Sequence, residues 1–438
     1  MRDFAISDDP AVQAQLDRLA ALSLPQGRLG LETIREILTR LGDPQKRLPP
    51  TFHVAGTNGK GSTCAFLRAM LEAGGLTVHA ATKPHLVRYN ERIRIAGALI
   101  PDAELADRLK QVLDASQDLA PSFFEVTAAA TFLAFAEHPA DACVIEVGLG
   151  GRFDATNVLD RPAACGIASL GIDHEAFLLR PEAGTPGDPL ARIAFEKAGI
   201  ARPGVPLVTQ AYPAAAARAV TITAARQGAE LFMRGPAWRA ETGGEIAYCD
   251  AFGPLALPLP RLAGAHQADN AALAVALLRH QDAVSVSPEA MRRGILSAHW
   301  PARLQLLGDG PLTALAPGRK VWLDGGHNPD AGAALARYFQ DRPLHLIVGM
   351  LASKNPAAIV SPLAAQLLSI TVVPAPGHQA HAPEDFAPFT GLPIRRLATV
   401  GEALCALSRT GPPDGDVLIA GSLYLAGEVL RLNRQIPD

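Results

Sequence analysis

The 438-residue chain lacks the marks of several large protein classes. It has no C-x-x-C pair: its five cysteines, Cys64, Cys143, Cys165, Cys249 and Cys405, are far apart and mostly lie in apolar stretches. They read as buried thiols in a reducing compartment. No apolar run reaches the roughly 20 residues needed to span a bilayer; the runs at 128–136 and 271–278 are too short. Residues 1–10 are acidic and polar, without the basic start and apolar run of a signal peptide. There is no excess of charge either, since 40 Lys and Arg face 43 Asp and Glu for a net charge of −3. Nothing at that level attracts nucleic acid or an anionic membrane. Repeats and low-complexity tracts are missing beyond alanine-rich helical stretches. These absences leave a cytoplasmic globular enzyme, in which an anionic substrate needs a local basic site.

With 48% hydrophobic and 19% charged residues, the chain can build more than one core. Asp8 or Asp9 caps a first helix with Pro10 in its first turn. A second helix over 31–41 stops at Gly42-Asp43-Pro44. A short buried strand at 51–55 leads through Gly56-Thr57-Asn58-Gly59-Lys60-Gly61-Ser62 into an amphipathic helix. Strands at 142–147, 165–170 and 206–209 alternate with helices at 124–136 and 190–198, which predicts a parallel sheet covered on both faces. Residues 231–262 read as a small antiparallel addition. A linker at 299–303 leads to a second, smaller α/β set with strands near 321–323, 345–348, 370–373 and 417–420. The expected division is 1–298 and 299–438.

Gly56–Ser62 supplies what a polyphosphate needs: small residues that let N–H groups turn inward, a lysine, and a hydroxyl for Mg²⁺. Its spacing departs from the standard phosphate loop, because Val54 stands where the first glycine belongs and Gly61 follows the lysine. A purely structural glycine turn is the alternative. Glu146 ends an apolar strand, where a carboxylate is costly unless paired or bound to a cation. Metal ligation and a buried pair with an arginine both satisfy that. His174 also follows a strand end, and a satisfied loop histidine is the plainer account. Arg303 is a nucleotide contact or a solvated linker arginine, and Phe123 and Phe124 are substrate contacts or core.

The segments Pro84-His85-Leu86-Val87-Arg88, Phe123-Phe124-Glu125, Glu146 through Asn157, Glu196-Lys197-Ala198-Gly199-Ile200, Asp324-Gly325-Gly326-His327-Asn328-Pro329 and Gly421-Ser422-Leu423-Tyr424 follow the loop in order. Together they resemble the folylpolyglutamate synthase and dihydrofolate synthase branch of the Mur ligase superfamily, in its bacterial bifunctional form. The resemblance implies a P-loop-type parallel-sheet domain carrying ATP and pterin sites, and a smaller Rossmann-like domain that completes a glutamate ligase. A nucleotide held by both would demand domain closure. The implied reaction is ATP-dependent formation of an acyl phosphate, attacked by the amino group of L-glutamate, on dihydropteroate and on reduced folates. The alternatives are one of these activities alone, another Mur-type amino-acid ligase, or a non-catalytic nucleotide switch.

By resemblance, Lys60, His174 and Lys197 are catalytic. Gly56, Thr57, Asn58, Gly59, Lys60, Gly61, Ser62, Asn270, Arg303, Asp324 and His327 bind the nucleotide. Ser62 and Glu146 hold one Mg²⁺, and His174 with a carbamylated Lys197 holds a second. Arg28, Gly30, Phe123, Phe124, Arg152 and Asp154 face the substrate. A monomer without nucleic-acid or membrane partners is implied. Three positions depart from the family. Lys83 replaces the serine before Pro-His-Leu, which belongs to the first metal site, so that a backbone carbonyl or water ligates instead or Lys83 contacts phosphate. Residues 179–189 form a longer connection than usual, and Gly326 replaces an alanine.

Overall fold

Apolar stretches without period-two alternation call for a sheet covered on both faces, and the chain uses them that way. The structure is a computed structural model that describes residues 6–22, 30–409 and 414–438. The chain forms two units, Met1–Arg261 with Gln267–His299, and Leu262–His266 with Trp300–Asp438.

In the first unit, the described residues contain an eight-stranded sheet of β1 (Thr51–Ala55), β2 (Val78–Ala81), β3 (Ile93–Ile95), β4 (Ala98–Leu99), β5 (Ala142–Glu146), β6 (Ala164–Ile167), β7 (Pro206–Thr209) and β8 (Glu230–Met233). The order is β4-β3-β2-β5-β1-β6-β7-β8. Pairing is parallel from β2 to β8, and β3 and β4 run antiparallel at one edge. Strands β1, β5 and β6 are buried along their whole length. Cys143 and Ile145 of β5 pack into a cluster with Phe132 and Phe135 of helix Phe123–Glu137. Cys165 and Ile167 of β6 pack with Ala194 and Ala198 of helix Pro189–Ala198. Open parallel sheets place ligands beyond the carboxyl ends of such strands.

The antiparallel addition is smaller than its expected span. It consists of β9 (Trp238–Thr242), β10 (Ile246–Asp250) and β11 (Gly253–Leu257). Residues 230–233 belong instead to the large sheet, because their backbone continues the parallel ladder on β7. Arg279, at the end of helix His266–Arg279, grips the buried Asp250 side chain of β10 at 2.6 and 2.7 Å.

The second unit holds β12 (Gln305–Leu306), β13 (Val321–Leu323), β14 (Leu344–Val348), β15 (Leu367–Val372), β16 (Ile394–Arg396) and β17 (Asp416–Ala420), in the order β12-β13-β17-β14-β15-β16. All pairs are parallel except β12 with β13. Among the described residues no helix is long and apolar enough to cross a membrane.

Candidate functional site

The phosphate-loop segment leaves β1 at Ala55 and enters helix Lys60–Ala73 with Gly59 at its N-cap. Gly59 has φ +82, and a Cβ there would collide with Asn270 Oδ1, so both the backbone conformation and the close approach require glycine. That approach brings Asn270 from a helix more than 200 residues away onto the loop. Thr57 ties the loop to the segment after β6, donating its N–H to Ser169 O at 2.7 Å and its hydroxyl to Gly171 O at 3.0 Å. Lys60 Nζ donates to the loop's own carbonyls, Gly56 O at 2.9 Å and Thr57 O at 3.1 Å. Ser62 is buried in the first helical turn. The Thr63 hydroxyl beside it is buried and has no hydrogen-bond partner among the described residues.

Glu146 is the last residue of β5 and lies opposite Val54 of β1, so pairing register alone sets it beside the loop. Its Oε2 accepts the backbone N–H of Lys83 at 3.0 Å. The turn that follows is built around Asp154. Oδ2 accepts the N–H groups of Gly148 and Leu149 at 3.0 and 2.8 Å, and Oδ1 accepts the N–H and hydroxyl of Thr156 at 3.0 and 2.5 Å. Burial pulls the Asp154 carboxyl upward, but the Lys83 ammonium and these hydrogen bonds prevail and hold it below the ordinary carboxylate value. Thr156 Oγ1 also meets His53 Nε2 at 2.8 Å. Full burial pushes His53 down to about 3.

Lys197 enters from helix Pro189–Ala198. It is buried and donates Nζ to Gly56 O at 2.8 Å. Burial first, then the positive charge of Lys60, lowers it to about 7, against the opposing pull of Asp173 and Asp154. A Cβ at Gly151 would lie 2.8 Å from Lys197 O and from Glu196 O, so only glycine lets the turn pass this helix. His174 has φ +55 and precedes the short helix Glu175–Leu178. Its Nε2 is 3.9 Å from Asp173 Oδ2.

Arg152 is heavily engaged. It donates to Glu196 at 3.0 and 2.8 Å and to Glu182 at 3.2 and 2.5 Å, with its guanidinium 4.3 Å from the Phe153 ring centroid. Phe123 and Phe124 start a helix held by a Ser122–Glu125 capping box and pack edge to face at 5.3 Å. Arg92 lies over Tyr89 and Phe123, and its Nε donates to His85 Nδ1 at 2.8 Å. This aromatic and cationic group escaped the sequence reading, although His85 stands in a motif segment. A Cβ at Gly30 would meet the Glu32 carboxylate. Arg28 lies outside the described residues.

In the second unit, Asp324 follows β13 and is buried. Oδ2 accepts Leu304 N–H at 2.8 Å and Oδ1 accepts Gly326 N–H at 2.7 Å. Arg303 Nη1 donates to Ala302 O at 2.9 Å and stands 3.2 Å from where a Gly325 Cβ would be. His327 Nδ1 is 3.2 Å from Gly325 O, and Asn328 caps helix Pro329–Tyr338. The four expected nucleotide contacts of the second half therefore divide: Arg303, Asp324 and His327 share this corner, while Asn270 belongs to the first unit.

Among the described residues no three His, Cys, Asp or Glu side chains form a ready metal cage. The donors fit divalent ions only in part. Ser62 and Glu146 are oxygen donors on adjoining elements, and the charge of the Lys83 ammonium acts on Glu146 through space. His174 offers an imidazole, whereas Lys197 in its amine form offers no oxygen.

No protein-family model matches the chain. It is 34% identical over 417 residues to the folylpolyglutamate synthase of Lacticaseibacillus casei, covering 90% of this chain and 92% of that one. It superposes on Escherichia coli FolC in complex with DHPP and ADP with a TM-score of 0.84, at 31% identity and 97% coverage of both chains. A bifunctional folylpolyglutamate synthase/dihydrofolate synthase with Mn, AMPPNP and L-glutamate bound gives a TM-score of 0.82 at 30% identity, covering 96% of this chain and 97% of that one. On that similarity, carried along nearly the whole of both chains, this chain belongs to the folylpolyglutamate synthase and dihydrofolate synthase family.

Proposed function

We propose that the chain is a bifunctional ATP-dependent ligase, adding L-glutamate to dihydropteroate and to reduced folates through an acyl phosphate. What carries the reading is the convergence of Lys60, Lys197, Glu146 and Asn270 on one glycine-rich loop. Relatives named for both activities cover nearly the same length. The first unit takes the ATP and pterin roles, and Arg303, Asp324 and His327 serve the nucleotide from the second.

The chemistry is mostly positional and electrostatic. Lys60 exchanges the loop carbonyls it now holds for phosphate oxygens. The loop N–H groups and the N-terminus of helix Lys60–Ala73 add partial positive charge. Phe123 and Phe124 offer a partly buried aromatic surface for the pterin, beside Arg92 and His85. Divalent cations, when bound, screen the charge of the phosphoryl group in transfer. In full form the reading has two, one at Ser62 and Glu146 and one at His174 and Lys197. Attack of the neutral Lys197 amine on CO₂, with loss of a proton to solvent, gives a carbamate whose oxygens can ligate. Burial of that amine favours its neutral form. Arg152 and Asp154 shape the turn at which the substrate is held, through the contacts described above. A monomeric, cytoplasmic enzyme completes the reading, and sedimentation tests the monomer.

The experiment is phosphate release with ATP and glutamate, using dihydropteroate and tetrahydrofolate in turn. Activity with both, lost by roughly a hundred- to a thousandfold in Lys60→Ala, is expected. Activity with one acceptor alone would make the enzyme monofunctional, and full activity of Lys60→Ala would remove the loop from the reaction.

A further inference from the structure

Near its start, helix His266–Arg279 carries three polar side chains with different tasks. Asp269 fastens the helix to the residues that follow β7 and β8: its carbonyl accepts Gln210 Nε2 at 2.8 Å, and its Oδ1 accepts Arg234 Nη1 at 2.6 Å. Asn270 reaches the glycine-rich loop, where a Cβ on Gly59 would lie 3.1 Å from Asn270 Cγ. Gln267 does neither. It is 1% exposed, and the one hydrogen bond of its side chain among the described residues is the one that its Oε1 accepts from Asn270 Nδ2 at 3.1 Å. Its Nε2 is buried and has no partner among the described residues.

An amide buried with half of its hydrogen-bonding capacity unmet destabilises a fold, and a leucine or methionine of similar volume fills the same space without that penalty. Asp269 already holds the start of the helix, so Gln267 is not needed there. What its amide accomplishes is local. Asn270 is 5% exposed and has two rotatable bonds between its backbone and its amide. The bond to Gln267 fixes one end of that amide, and the whole group is then set against Gly59. A contact fixed before its ligand arrives loses less entropy on binding than one that must be ordered.

Resting on the reading of Asn270 as a nucleotide contact, we propose that Gln267 is a positioning residue for nucleotide binding, which holds the Asn270 amide against the loop in the nucleotide-free enzyme. It acts through Asn270 and is not a catalytic residue. Its unmet Nε2 is the mark of a side chain kept for that placement rather than for the core.

The test is calorimetric binding of AMPPNP with Mg²⁺ to the full chain, with melting temperatures of the nucleotide-free chain measured alongside. Gln267→Met keeps the volume and removes both ends of the amide; Gln267→Leu is the second variant. The AMPPNP dissociation constant should rise roughly three- to tenfold, the effect of about one hydrogen bond. The melting temperature should stay level or rise, because a buried unmet donor is removed. In an Asn270→Ala chain the same substitution should change the dissociation constant by less than about twofold, since nothing is left to position. Unchanged AMPPNP affinity in both variants, or an equal loss with and without Asn270, would overturn the proposal. So would a clear fall in melting temperature or a failure of both variants to fold, either of which makes Gln267 a residue of the core. If the unaltered chain binds no AMPPNP, the ligase reading falls and this proposal falls with it. Binding that is the same in the unaltered chain and in Asn270→Ala removes the proposal alone.

Discussion

Arg152 and Lys83 flank the same glycine-rich turn, and they differ in their company. Arg152 is shared between Glu182 and Glu196, and Arg192 reaches the same two carboxylates at 3.1 and 3.0 Å, so two positive and two negative groups close on one another. The Lys83 ammonium is buried against the turn with no hydrogen-bond partner among the described residues. One cation is spent on the fold, fastening the 179–189 connection to helix Pro189–Ala198 and to the turn. The other faces the carboxylate of Asp154 through space, with no hydrogen bond from its ammonium among the described residues. Charge type alone does not separate a structural residue from a functional one; the partners do.

The comparison breaks most readily at Arg152. Arg152→Met leaves Arg192 as the one cation between Glu196 and Glu182, and for a cluster this partly buried the expected loss is about 2–4 kcal/mol of stability. Chemical denaturation measures it, and an unchanged midpoint would make the cluster ornamental. Next in size is the coupling between Arg152 and Glu196. A double-mutant cycle with Glu196→Gln should return a coupling of about 1–2 kcal/mol, and strict additivity would contradict the network. Lys83→Met should change metal-free stability by under about 1 kcal/mol, because no hydrogen bond is lost and the stem is retained. A loss as large as that of Arg152→Met would show the two lysine and arginine roles to be alike.

The remaining effect is one of pH, at His53, which meets Thr156 of the same turn. His53 has a folded pKa of about 3 against an ordinary 6.5, so the unfolded chain binds the extra proton between those values. Stability is therefore highest, in this respect, above pH 6.5 and falls as the pH drops from 6.5 toward 3. Melting temperatures of His53→Asn across that range should fall less steeply than those of the unaltered chain. Parallel slopes would take His53 out of the account.

Much of this was legible in the residues. The apolar strand before Gly56, the helix after Lys60 and the strand ending at Glu146 are local patterns, and parallel pairing then fixes Glu146 beside the loop. Strands β2, β3 and β4, on one side of the large sheet, were not legible. They are only two to four residues long, too short for periodicity to mark them. Residues 231–233 were read as the start of the antiparallel addition because sequence alone does not say which sheet an edge strand joins. Lys83 stood out as a departure, but its burial depends on the Gly148 turn more than 60 residues away. Arg152 read as a substrate contact, yet its partner Glu182 lies in the long connection, where spacing gives no sign of pairing. Asn270 was named from resemblance, and its physical warrant, the missing Cβ at Gly59, needs three dimensions.

The central claim is that the phosphoryl group passes through the acceptor's carboxylate. Dihydropteroate labelled with ¹⁸O in that carboxylate, turned over with ATP and L-glutamate by the purified chain, tests it directly. The account predicts that the released phosphate carries one ¹⁸O for each amide formed. Phosphate released without label, its new oxygen drawn from water, would contradict it.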